Sequence, residues 1–168
     1  MPIQRQRLTV AAALCAAAVF STPAPSVARP GGRATVASSV AGDVIDLTNV
    51  ERTRQHRSAL HASPRLMRAA QIQAEQMARA RRLAHVLPNA TYPSAKDRLA
   101  AADYRWQTYG ENVALGQSDA RNVVHSWMHS RGHRTNILNA DFSEIGAGYA
   151  TDAAGRPYYV QVFGRPLS

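Results

Sequence analysis

Apolar and polar positions change between helical and strand periods along the chain, and those changes mark out its elements. Val44, Leu47 and Val50 recur at helical spacing, with Asn49, Arg52 and Arg54 on other faces. This predicts an amphipathic helix that begins near Asp43 and ends before His61. Ser63-Pro64 opens a second helix, a serine cap followed by proline at the first helical position. Leu66, Ala70, Ala74 and Met77 form its apolar stripe, and the small alanines allow another element to approach closely. It is expected to run to about Leu83, with His85 just beyond it.

Pro88, Asn89 and Pro93 then hold a loop. Ser94 and Asp97 carry a capping-box pattern for a short helix through Ala102. Tyr104, Trp106 and Tyr109 recur every two or three residues, which suits a strand, and Gly110-Glu111-Asn112 reads as a turn after it. Ser118 is the expected cap of a helix whose Val123, Val124, Trp127 and Met128 share one face. Gly132 is expected to break that helix, crowding His133, Arg134, Thr135 and Asn136 into the following turn. Last, Ile145, Ala147 and Tyr149 alternate with Gly146 and Gly148, and Tyr158 to Phe163 alternate beyond a turn from Asp152 to Pro157. These two segments predict an antiparallel hairpin, its glycines marking close packing by another element.

The first 28 residues follow a different pattern. Arg5 and Arg7 precede an apolar run from Leu8 to Phe20, and Ser26-Val27-Ala28 has the small residues of a signal-peptidase site. Residues 1–28 are therefore read as a secretory signal cleaved near Ala28. Residues 29–42 are read as a flexible lead-in, and residues 43–168 as the domain. The apolar run is shorter than the roughly 20 residues of a transmembrane helix, so no anchor is expected in the mature protein. Cys15, the only cysteine, lies in that run after Leu14 rather than after a small residue, which disfavours a lipid anchor. The exported domain then has no thiol and must be held by its core. About 140 residues suffice, since a domain of that size buries roughly 68–70% of its unfolded surface.

The chain carries 20 basic and 11 acidic residues, a net charge of +9 that falls to +7 once Arg5 and Arg7 leave. Such a balance is compatible with an anionic envelope polymer or membrane surface as a partner, and equally with a solvated, arginine-rich surface. The arginines are scattered without interleaved aromatics, which argues against nucleic acid.

Taken in order, Leu47-Thr-Asn-Val-Glu-Arg52, Leu83-Ala-His85, Tyr109-Gly-Glu-Asn-Val-Ala114, Trp127 to Leu138 and Tyr158 to Gly164 resemble the CAP superfamily, or SCP domain, in its disulfide-free bacterial branch. The resemblance runs from Leu47 to Pro166. It implies an α+β fold, an α-β-α sandwich with a small, mainly antiparallel sheet between helix layers. It also implies a central cleft onto which two His and two Glu face. His85, Glu111 and His133 match three of these positions, as the catalytic or metal-binding set. The fourth, three residues after Trp127, is Ser130 here, a departure from the family pattern. Ser130, Asn112 and Asn136 are the expected ligand contacts.

Two readings of that cleft stay open. His85 and His133, with Glu111, can hold a divalent metal such as zinc, although the spacing shows no local chelate motif of the H-E-x-x-H kind. Alternatively, Glu111 bonds Asn136 or the histidines and pins the central loop to the sheet. The functional expectation is a secreted or envelope-associated monomer that binds a ligand, lipid or anionic envelope polymer. Its alternative is a metal-dependent hydrolase of peptides or envelope polymers, with Glu111 as base.

Overall fold

The computed structural model describes residues 31–167, so the leader expected at 1–28 and the cleavage site near Ala28 lie outside the described residues. The elements, in order, are α1 (Gly31–Arg54), β1 (His61–Ala62), α2 (Pro64–Ala80), α3 (Ala95–Ala101) and β2 (Trp106–Leu115), followed by α4 (Ala120–Met128), α5 (Arg131–Leu138), β3 (Glu144–Thr151) and β4 (Pro157–Pro166). The sheet has the order β1-β3-β4-β2. Both long pairings are antiparallel, and the two-residue β1 joins β3 in parallel. This is the α-β-α sandwich with a mainly antiparallel sheet that the family resemblance implies.

β4 shows why both faces of the sheet are covered. Tyr158, Val160 and Val162 face a core built with Leu66, Ala70, Met77 and Leu99 of α2 and α3. Tyr159 and Phe163 face the opposite core, with Val44, Ile45, Trp127 and Ile137 of α1, α4 and α5. Period-two alternation thus assigns successive residues of one strand to two apolar layers. The glycines of β3 serve α2: a Cβ on Gly146 would collide with the backbone of Leu66 and Met67, and one on Gly148 with that of Ala70 and Gln71. Gln71 closes part of the β3 edge, its amide donating to the Tyr149 carbonyl at 3.1 Å and accepting from the Tyr149 N–H at 3.1 Å.

Several boundaries differ from the sequence reading. Helix α1 begins at Gly31, so residues 31–42, expected to be a flexible lead-in, are helical. Ala41 is buried and Val40 packs against the same core, which gives this stretch an apolar contact that its irregular pattern hides. Gly110, Glu111 and Asn112 form no turn but lie inside β2, paired with β4 through Phe163, Val162 and Gln161. Asp119, not Ser118, caps α4, accepting from the Asn122 N–H at 2.8 Å. Gly132 breaks nothing. α4 ends at Met128, the chain bends through His129 and an extended Ser130, and Gly132 is an interior residue of α5 together with His133 and Asn136. The capping box of Ser94 and Asp97 forms as expected.

Candidate functional site

Glu111 and Asn112 are neighbours on an edge strand, so their side chains leave opposite faces of the sheet. Glu111 turns toward the α3 side, where Arg98 is 1% exposed and its Nη2 donates to Glu111 Oε2 at 2.7 Å. The other carboxylate oxygen faces His85 Nδ1 at 2.9 Å. Arg98 also donates to the carbonyls of Tyr92, Pro93 and His85, at 3.3, 3.2 and 3.2 Å. One buried guanidinium therefore fixes both the carboxylate and the loop that carries the histidine. A buried charge is tolerated when it is paired and hydrogen-bonded in this way. Sequence reading passed over Arg98, because a lone arginine on a short helix looks like a solvated residue until its partner thirteen positions on is known.

Asn112 takes the opposite direction and is wholly buried. Its Nδ2 donates to the His133 carbonyl and to Gln161 Oε1, both at 3.1 Å, and its Oδ1 accepts from Asn136 Nδ2 at 2.9 Å. Asn136 Nδ2 also reaches the Glu111 carbonyl at 3.2 Å. Gln161 Nε2 donates to Thr48 Oγ1, which itself donates to the Val44 carbonyl at 2.6 Å. Asn112, expected as a ligand contact, is placed in the structure as an interior link. Its amide is consumed inside the protein, where it holds the backbone of His133. The opening-helix motif is structural in the same sense. Arg52, 2% exposed, caps the end of α5 through the carbonyls of Ile137 and Asn139, at 2.6 and 2.9 Å.

The pKa values of the two histidines shift in opposite directions. His85, with a side chain 56% exposed, has its pKa raised, chiefly by the hydrogen bond its Nδ1 donates to the Glu111 carboxylate. Partial burial, followed by the charge of His85, lowers that of His133. This repulsion means that the imidazoles of α5 and of the loop after α2 share one electrostatic environment. Ser130 is the N-cap residue of α5, yet its side chain makes no capping hydrogen bond.

As donors for a metal, the set is narrower than expected. Both Glu111 oxygens are engaged, one by a guanidinium, and among the described residues no group of three or more His, Cys, Asp or Glu is arranged to hold an ion. Of the expected donors this leaves the imidazoles of His85 and His133, with Glu111 accepting from His85 Nδ1.

An exposed histidine hydrogen-bonded to a buried carboxylate lies beside the edge strand of this α-β-α sandwich. Residues 45–163 match the CAP family, the cysteine-rich secretory protein family, and the chain belongs to it. It is 39% identical over 106 residues to the uncharacterised protein YkwD of Bacillus subtilis, which covers 63% of this chain and 40% of that protein. With the uncharacterised membrane protein YlbC of the same organism it shares 33% identity over 120 residues, 71% of this chain and 33% of that one. The chain thus spans well under half the length of both. Among solved structures, it resembles an extracellular protein containing a SCP domain from Bacillus anthracis, with a TM-score of 0.72 and 27% identity, over 86% of this chain and 45% of that one.

Proposed function

We propose that the protein is an exported binding module whose cleft presents His85 and His133 to a ligand, with a divalent transition metal such as zinc held between the two imidazoles. The observation that carries this reading is the investment behind one exposed side chain: a buried ion pair, Arg98 with Glu111, orients His85 at the surface. The loop bearing His85 also exposes Leu83, Val86 and Tyr92, which favours a ligand with an apolar part, such as a lipid. Export rests on the leader pattern of residues 1–28 and on the resemblance to a protein described as extracellular. Among the described residues no helix is long and apolar enough to cross a membrane.

Bound zinc would supply a Lewis-acidic centre with open positions for water or a ligand oxygen. The protein's own contribution is to hold His85 through Glu111 and to keep His133 neutral near physiological pH. A hydrolase using Glu111 as base has less support, because hydrogen bonds from His85 and Arg98 occupy both carboxylate oxygens.

Calorimetry with zinc, and vesicle binding with anionic phospholipid, test the reading. One zinc per chain is expected, lost in His85→Ala and in His133→Ala, and vesicle binding should weaken in His133→Ala. Zinc and vesicle binding indifferent to both substitutions would overturn it.

A further inference from the structure

At the end of α4, two more histidines sit one helical turn apart. His125 lies in the last turn of α4 and His129 is its C-cap residue; both are exposed. Their rings lie face to face, centroids 4.1 Å apart and tilted by 34°. The His129 N–H continues the helical hydrogen bonding to the His125 carbonyl at 3.2 Å, so the backbone keeps the i, i+4 geometry through the cap. This is the spacing at which two histidines on one helix face converge on a metal ion.

A second observation concerns protons. His129 Nδ1 lies 2.8 Å from the His125 carbonyl oxygen. A carbonyl only accepts, so Nδ1 must carry the proton and, in the neutral ring, the lone pair is on Nε2. A ring that donates one nitrogen to a backbone carbonyl and offers the other to solvent is prepared as a ligand.

From this geometry we infer that His125 and His129 form a surface chelate for a single transition-metal ion, separate from the His85–His133 cleft. The surroundings select the metal. Arg57, Arg131 and Arg134 line the pocket beside His129, and no carboxylate does. Without a carboxylate beside it the pair lacks the anionic oxygens that calcium and magnesium sites are built on, whereas imidazole pairs favour ions high in the Irving–Williams order, copper(II) above zinc. The chelate also ties the end of α4 to the bend that leads into α5, the helix of His133.

Copper(II) titration of the protein at about pH 7.5, followed by NMR line broadening and electron paramagnetic resonance, tests this. The first equivalent is expected to broaden the amide signals around residues 121–130 and to show nitrogen coupling to the copper. His125→Ala and His129→Ala should each weaken that phase about tenfold or more, and the double variant no further, because a chelate is lost with either arm. His129→Gln, which keeps a donor for the His125 carbonyl, should lose it equally, while His85→Ala and His133→Ala leave it intact. Far-UV circular dichroism checks that each variant stays folded. Three results would overturn the inference: first broadening around His85 and His133, effects of the two histidines that simply add, or copper bound no tighter than in the double variant.

Discussion

At the scale of single residues, the Arg98–Glu111 pair concentrates the electrostatic risk of the fold. Arg98 is 1% exposed and Glu111 9%, so removing either leaves a buried charge without its partner. Arg98→Ala is therefore expected to cost about 3–5 kcal/mol, whereas Arg98→Met combined with Glu111→Leu should cost less than the single change. Urea unfolding of the cycle decides; a double variant as unstable as the sum of its parts would mean that the charges do not interact. The same carboxylate sets the titration of His85. Proton NMR should find His85 titrating above the usual 6.5 and His133 below it, with the His85 midpoint falling in Glu111→Gln.

The two shifts act on stability with opposite signs. The raised His85 contributes stability that is fully present below about pH 6.5 and is lost as pH rises through its folded midpoint. The lowered His133 withholds stability as pH falls below about 6.5, because the unfolded chain then takes up the proton more readily. Zinc affinity at the cleft should accordingly climb through the His85 midpoint, since a ligating imidazole must first release its proton. Calorimetry across that range would detect it, and a flat profile would count against His85 as a ligand.

At the scale of elements, the glycines separate packing from propensity. Gly146 and Gly148 have the backbone of α2 where a side chain would begin, so Gly→Ala at either is expected to cost about 3 kcal/mol or more, at the upper end of overpacking. Gly132 has nothing within 4 Å of an added Cβ and lies inside α5, so Gly132→Ala should stabilise by about 0.5–1 kcal/mol. Thermal unfolding of the three variants distinguishes these cases; destabilisation by Gly132→Ala would restore the break expected from sequence. That error and the accuracy elsewhere have one explanation. The Ser63-Pro64 start, the Ser94 capping box and the β3–β4 hairpin are governed by neighbours in sequence and were legible there. Gly110-Glu111-Asn112 was not. Its polar residues are held inside a strand by Arg98, Asn136 and Gln161, which no local pattern connects to it. The resemblance to a family located Glu111 and the histidines but not the guanidinium behind them.

At the scale of the whole molecule, without a disulfide to join the layers, a chain of amides does part of that task. Val44 and Thr48 of α1, Gln161 of β4, Asn112 of β2 and Asn136 of α5 are linked in sequence by side-chain hydrogen bonds. The link matters because α5 carries His133 while β2 carries Glu111, so the proposed cleft would keep its shape only if helix and strand are held in register. Asn112 is the node: its loss strands Gln161 Oε1 and one donor of Asn136 and removes the side-chain bond to the His133 carbonyl. Each buried group left unpaired costs about 1–3 kcal/mol, partly recovered where water can enter, so Asn112→Ala should destabilise by about 2–4 kcal/mol. A merely local defect would lower stability and leave the cleft alone. The network predicts more: amide exchange should accelerate selectively across α5, and zinc affinity should fall although neither imidazole has been touched. Hydrogen exchange and calorimetry on this one variant measure both, and a destabilised protein with unaltered α5 protection and zinc binding would reduce the network to ordinary core packing.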